Sequence, residues 1–399
     1  MKFENEKATK VRGAANCGTT HSMPRPTIRS VVFLLWALLA LFTAAGPRPA
    51  LAQPAAPSTA PASSWQLASA QQSTGWSKEK LALAHQYADS IHSSAVMIIQ
   101  GGKVIDQWGD VDKKINGYSM RKSLISALYG IYAAEGVLDL NETLEHAGID
   151  ETTDPLTKPE RQARIVDLLR ARSGVYHPVD FETEGMKKLR PPRGSHAPGT
   201  YWYYNNWDFN VVGAFFEKKT GIKMGEAFYQ RIAKPIGMQD FQPGDVHYFG
   251  GPLSIYPGYQ IEITARDLAR FGLLYLHQGQ WQGKQIVPAA WVEKSTHAEE
   301  MVKANGVELG GYEYLWWVEY GGVTFGEATL PGMYSARGAT GHYLVVVPGK
   351  DLVIVHRVDT NPPSWDAKAV SDTANHEVVS KAQFIHLLQL ILDADTGHR

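Results

Sequence analysis

Hydrophobic positions recur along the chain with three different periods. Val31–Phe42 is an uninterrupted apolar run. From Ser77 the spacing becomes helical, and Ser77 is placed to cap an amphipathic helix that runs to about Ser90. Ala95–Gln100 and Lys103–Trp108 are short apolar runs around Gly101-Gly102, which predicts a hairpin. Three more strand-like runs come late: Tyr312–Tyr320, His342–Val347 and Leu352–Val358. The turn Pro348-Gly349-Lys350-Asp351 joins the last two. A closing helix carries Val378, Ala382, Ile385, Leu388 and Leu392 on one face. The roughly 200 residues in between read mostly as helix and loop. Strands at both ends of a chain join most simply in one antiparallel sheet. The expected fold is therefore α/β of the α+β type: an antiparallel sheet flanked by terminal helices, with a mostly helical inserted lobe. The sheet lobe takes about 76–115 and 305–395, and the helical lobe about 116–304. A cleft between two lobes is where ligands favour binding.

The first apolar run, 12 residues long, is short of the roughly 20 that span a bilayer. Arg25 and Arg29 precede it and Ala50-Leu51-Ala52 follows, which is the pattern of a signal peptide over residues 1–52 cleaved near Ala52. The long polar stretch ahead of Arg25 makes Met23 an alternative start, and an uncleaved anchor is the other reading of the run. The expected location is the periplasm or the exterior. Residues 53–75, rich in Ala, Pro, Ser and Gln, read as a disordered tether to a domain over 76–395.

Composition narrows the chemistry. Of 399 residues, 44% are hydrophobic and 20% charged, a globular balance. The net charge is -1 with no basic block, which leaves a nucleic-acid partner no electrostatic footprint. Nothing beyond the leader predicts contact with a membrane, and oligomeric state is not legible. Cys17, the lone cysteine, lies in the leader, so a disulfide framework and a cysteine nucleophile are excluded. His376-Glu377 lacks the second histidine of a zinc motif, and no phosphate loop, calcium loop or G-x-S-x-G elbow occurs. No metal and no cofactor are expected; the expected partner is a small acyl substrate.

Ser119-Met120-Arg121-Lys122 opens a segment with Leu124, Leu128 and Ile131 at helical spacing. Positions i and i+3 share a helix face, so the Ser119 hydroxyl and Lys122 amine can lie side by side. A serine needs a neighbour to take its proton, and a lysine in a dry site has the lowered pKa to do so. Ser77-Lys78-Glu79-Lys80 has the same spacing but is densely charged, and reads as a capped surface helix. In the aromatic stretch Tyr201–Trp207, Tyr204 is the candidate proton relay, a phenol whose pKa a neighbouring ammonium would depress. Asn206 offers an amide able to bond both a lysine and a substrate carbonyl. Tyr203 beside it has no such role.

Ser119-x-x-Lys122, Tyr204-x-Asn206 about 85 residues on, and the terminal strand pair together resemble the serine β-lactamase and penicillin-recognising hydrolase superfamily. The chain is most similar to class C β-lactamase-related serine hydrolases, which include esterases and 6-aminohexanoate-dimer hydrolases. Leu168–Gly174, Pro198–Asn206, Ile263–Leu274 and Trp281–Trp291 support the likeness, which spans roughly residues 78–395. The family's third motif is a Lys/His-Thr/Ser-Gly strand triad. Lys219-Thr220-Gly221 has the letters, but it sits at a predicted helix C-terminus, where Lys then Gly is ordinary capping. The position that the resemblance implies reads Ala336-Arg337-Gly338. Gly338 would let substrate lie against the backbone, and the N–H groups of Ser119 and Ala339 would bind the oxyanion. Arg337 reaches the cleft only if strand alternation turns it inward. Trp207, Trp316 and Trp317 are candidates for apolar cleft walls.

The resemblance implies an exported serine hydrolase that cleaves an ester or amide through an acyl-enzyme on Ser119. Ala336 in place of the Lys or His that grips a substrate carboxylate weakens the alternative, a β-lactamase or D-alanyl-D-alanine carboxypeptidase. A silent binding protein on the same fold is the second alternative, against which Ser119, Lys122 and Tyr204 all stand intact.

Overall fold

A computed structural model describes residues 64–69 and 75–397. The predicted signal peptide and most of the tether lie outside the described residues. Residues 64–69, inside the stretch read as tether, instead lie along a strand: Val104 N donates to Gln66 O at 3.0 Å, and Trp65 Nε1 to Arg266 O at 3.1 Å. Trp65 packs on the core and supplies the contact that a purely polar linker would lack, whereas the Leu67 side chain is exposed.

Strands β1 (Ala95–Gln100) and β2 (Lys103–Gly109) form the expected hairpin, with Gly101 and Gly102 both at positive φ. Strands β3 (Ile115–Asn116), β4 (Val246–Phe249) and β5 (Gly258–Ile263) make a small separate sheet. Strands β6 (Gln280–Trp281) and β7 (Lys284–Gln285) make a short ribbon. The main sheet is completed by β8 (Val302–Ala304), β9 (Val307–Glu313), β10 (Trp316–Val318), β11 (Tyr334–Gly338), β12 (His342–Val347) and β13 (Leu352–Arg357). Its order is β2-β1-β13-β12-β11-β10-β9-β8, with antiparallel pairing throughout, so the two chain ends do meet in one sheet.

The helices are α1 (Lys78–Ser90), α2 (Met120–Ala134), α3 (Leu144–Ala147), α4 (Ile165–Leu169), α5 (Glu184–Leu189), α6 (Asn206–Thr220), α7 (Met224–Phe228), α8 (Ala265–Leu276), α9 (Ala289–Thr296), α10 (Ala367–Asn375) and α11 (Lys381–Ala394). Alternate strand residues feed two cores. Val96, Ile98, Val345 and Ile354 pack under α1 and α11. Met97, Ile99, Leu344 and Val353 face α2, α8 and the helical lobe. Among the described residues no helix is long and apolar enough to cross a membrane.

Besides its helices, the middle of the chain holds β4 and β5, which pair with β3, and α8 packs on the main sheet. A Cβ on Gly272 of α8 would stand 2.6 Å from Val353, which shows how closely that helix approaches. The run Tyr312–Tyr320 is broken between β9 and β10 by Tyr314 and Leu315, both at positive φ. That turn stays apolar because it is buried: Leu315 N donates to Leu169 O at 3.0 Å and its carbonyl accepts from Ser123 Oγ at 2.8 Å. Finally, α11 buries Phe384, Leu387, Leu388 and Ile391, while Ala382 is exposed and Val378 precedes the helix. A segment apolar at 384, 385, 387, 388, 390 and 391 is too rich to phase by period alone.

Candidate active site

The turn ahead of α2 is held from three sides. Gly117 N donates to Ile261 O at 2.8 Å, and Tyr118 N to Asn116 Oδ1 at 3.1 Å. Arg357, fully buried, donates to Ile115 O at 2.7 Å, Asn116 O at 3.1 Å and Ile263 O at 3.1 Å. Its Nε–H is accepted by His342 Nδ1 at 3.1 Å, which leaves His342 Nε2 to donate to Thr360. Burial and Arg357 both hold the His342 pKa well below the usual imidazole range. Tyr118 takes φ 46°, an uncommon conformation for a non-glycine residue, and it immediately precedes Ser119.

Ser119 is already helical, with φ -70° and ψ -8°, and its side chain makes no cap bond. Lys122 Nζ donates to Ser119 Oγ at 2.7 Å. The lysine is buried, its Nζ 4.6 Å from the Tyr204 ring centre and 4.5 Å from that of Phe209. Burial first, and then the neighbouring Arg121, push the Lys122 pKa well below the ordinary lysine value. Among the described residues these two cations meet hydroxyl, carbonyl and ring faces rather than an acid, and the ring faces favour the charged form and so oppose the shift in part.

Tyr204 lies just before α6, stacked on Trp317 with ring centres 5.6 Å apart. Its hydroxyl is a hydrogen-bonding neighbour of Ser119, which lowers its pKa, but burial outweighs this and pushes the phenol up to about 12. That reverses the depression expected beside a cation: Arg121 and Arg337 do lower it, but by less than burial raises it. Ser119, Lys122 and Tyr204 thus share one corner, in which Lys122 is buried and Ser119 and Tyr204 are partly exposed.

The remaining candidates divide. Asn206 is the first residue of α6; its Nδ2 points to Phe181 O at 3.5 Å and its buried Oδ1 has no partner, so it makes no bond to Lys122. Asn205 does the anchoring: it caps α6 through Trp207 N and donates to Val175 O at 2.6 Å and Asp208 Oδ1 at 2.8 Å. Asp208 also accepts from Ser173 Oγ at 2.5 Å, and its burial raises its pKa well above the carboxylate range.

Gly338 ends β11 against the turn before Ser119, where a Cβ would stand 2.5 Å from Gly117 O. The glycine is required by backbone meeting backbone rather than by a bound substrate. Ala339 follows Gly338, and in the turns and loops of the described residues neither the Ser119 nor the Ala339 N–H donates to a backbone carbonyl. Arg337 lies across Trp317 and Phe325, 4.9 and 4.7 Å from their ring centres, with Nε on Ser335 Oγ and a buried, unpartnered Nη2. Burial lowers its pKa to about 10. Trp207 and Trp316 are fully buried core residues, Trp207 donating to Glu151 at 2.8 Å, and only Trp317 of the three lines a cleft. Lys219 pairs with Glu142 at 2.6 Å, and Gly221 closes α6 in the left-handed region, both remote from Ser119.

Arg121 is the residue that sequence reasoning passed over. It is buried in the S-x-x-K stretch, with Nε and Nη2 unpartnered and its guanidinium 5.0 Å from the Tyr259 ring centre. The available signal was a helix apolar on every side apart from two adjacent cations.

The chain is 21% identical over 293 residues to an uncharacterized protein of Alkalihalophilus pseudofirmus, covering 66% of this chain and 82% of the relative. A family VIII carboxylesterase superposes with TM-score 0.56 at 16% identity, over 83% of this chain and 99% of its own. A class C β-lactamase superposes with TM-score 0.56 at 16% identity, over 81% and 97%. At such identities these likenesses concern the fold. The Beta-lactamase family itself matches residues 80–376, and with most of the domain covered, the chain belongs to that family of serine β-lactamase and transpeptidase-like proteins.

Proposed function

We propose that the protein is a serine hydrolase that cleaves ester or amide bonds through an acyl-enzyme on Ser119. One observation carries the reading: a buried Lys122 amine, its pKa pushed well below the ordinary lysine value by burial and Arg121, 2.7 Å from the Ser119 hydroxyl. Lys122 takes the Oγ proton as Oγ attacks the carbonyl carbon. The N–H groups of Ser119 and Ala339 receive the oxyanion. Tyr204, protonated at neutral pH, passes its proton to the leaving group and regains one from Lys122. Water then repeats the sequence to release the acid. Asn206 has no place in the proton path, and Asn205 with Asp208 fixes the Tyr204 loop.

The third-motif strand favours this over a β-lactamase or carboxypeptidase. Ala336 stands where a Lys or His would grip a substrate carboxylate, and Arg337, partly buried, lies across Trp317 and Phe325 with Nε held by Ser335 and Nη2 buried. The leader pattern supports export, which N-terminal sequencing of the protein from culture would test. For the activity, a fluorophosphonate should add its mass to Ser119, and p-nitrophenyl esters should turn over faster than nitrocefin. An unlabelled Ser119 together with inert esters would return the chain to a silent binding role.

A further inference from the structure

Beside Tyr204 the surface opens into a cavity of about 310 Å³. One wall is the loop Tyr201–Tyr204, and Trp317 stands at its inner end. Met186 and Leu189 of α5 close a second side, and Leu309 of β9 faces them. The last three are partly exposed apolar side chains, and α5 buries none of its residues. The polar side chains at the rim are few, and Lys303 is already paired with Glu308 at 2.9 Å. The cavity is roughly twice the ~150 Å³ that holds one benzene ring. Tyr204 serves it as wall while reaching Ser119 with its hydroxyl.

We propose that this cavity is the specificity pocket of the enzyme, and that it seats an arylalkyl or medium-chain apolar group attached to the scissile ester or amide. The assignment rests on the hydrolase reading above for the bond that is cut, but not for the pocket's preference. Five aromatic rings and three aliphatic side chains line most of it and suit an apolar group, and its one charged side chain, Lys303, is paired with Glu308. The hairpin that carries Leu309 turns at Asn305-Gly306, both at positive φ, which sets that wall at a fixed distance from the aromatic loop.

The test varies the acyl and alcohol portions separately. On p-nitrophenyl esters from acetate to decanoate, and on acetates from ethyl to octyl and benzyl, one series should gain about fourfold in kcat/KM per methylene, the worth of ~0.8 kcal/mol, until the cavity fills. Leu309→Trp and Met186→Trp, which fill the space from two different elements, should flatten that series and change acetate far less. A binding measurement runs in parallel: calorimetry of 4-phenylbutyrate against acetate with the Ser119→Ala protein, in which only phenylbutyrate should bind and either filling substitution should weaken it at least tenfold. Two flat series with turnover intact would overturn the pocket and leave the hydrolase standing, as would filling variants that depress all chain lengths alike. Phenylbutyrate binding lost on filling, with no ester cleaved and Ser119 unlabelled, would keep the pocket and remove the hydrolase. Neither binding nor a steep series would overturn the pocket outright.

Discussion

The same four-residue spacing occurs twice, and the two copies do opposite things. Ser77 is extended, with φ -78° and ψ 118°, and its Oγ accepts from the backbone N–H of Lys80. The hydroxyl itself donates to Glu79, and Lys80 Nζ leaves for Asp393 O, 2.9 Å away and in water. Ser119 is helical, so its side chain points along the helix instead of folding over the N-terminus, and Lys122 Nζ finds it at 2.7 Å. One backbone rotation and a change from an exposed to a buried lysine separate a helix cap from an activated hydroxyl. The strained Tyr118 and the three carbonyls gathered by Arg357 keep Ser119 in the second state.

The largest way to break the contrast is to remove the nucleophile. Ser119→Ala should reduce ester turnover by about four orders of magnitude or more while thermal unfolding stays cooperative, because groups acting as a unit lose nearly everything together. Retained turnover would move the chemistry elsewhere on the chain. Smaller in effect, Tyr204→Phe keeps the ring against Trp317 and removes only the hydroxyl. The expected loss is roughly 100-fold, mainly in kcat, with stability changed by about 1 kcal/mol. Tyr203, whose hydroxyl donates to Met186 O at 2.9 Å, is the control. A crippled Tyr203→Phe beside a healthy Tyr204→Phe would shift the proton path by one residue.

Arg121 sharpens the comparison, since Ser77-x-x-Lys80 has no buried cation of its own. The titratable groups facing Arg121 are Tyr204, Tyr259 and Tyr312, none ionised near neutrality, so only the Tyr118 carbonyl and the Phe181 and Tyr259 ring faces, and no acid, offset its charge beside Lys122. Lys122 works as the free amine, and kcat/KM should rise with pH through its pKa. Arg121→Met removes the like charge, raises that pKa and moves the acid limb to higher pH. Activity at a fixed pH on the limb then falls about tenfold for each unit moved. Arg121→Lys should restore the profile, and the methionine variant should fold at least as well, since an unpaired buried charge is gone. A limb that stays in place in Arg121→Met would show that burial alone sets Lys122.

Period and turn chemistry made the frame of this molecule legible: a Gly-Gly hairpin, a Pro-Gly turn and capped terminal helices sit where local rules put them. The serine and lysine were legible for the same reason, being three residues apart on one helix. What escaped was tertiary. Asn305-Gly306 is a strong hairpin signal that went unused because the flanking strands β8 and β9 carry Lys303, Glu308 and glycines rather than an apolar alternation. Trp207 and Trp317 are the same residue type in similar aromatic company, and only packing decides that one is core and the other lines a cavity. Asn205 and Asn206 are adjacent, and the cap geometry of α6, not their chemistry, selects Asn205 as the anchor.

The smallest expected effect belongs to the exposed copy of the motif. Ser77→Ala deletes an N-cap acceptor from α1, a loss of about 1 kcal/mol on the usual scale for capping residues. In a domain of this size that lowers Tm by about 2 °C. The helix itself should persist, because Leu81, Ala84 and Ala88 keep it on the sheet and on α11. Activity per folded molecule should not move, since Ser77 and Lys80 spend their hydrogen bonds on α1 and on the chain's C-terminal helix. Lys80→Met should cost less still, one exposed bond to a carbonyl. If instead Ser77→Ala depressed kcat with Tm unchanged, the difference between the two copies would not be one of cap against nucleophile, and Ser77 would have to communicate with Ser119 across the sheet.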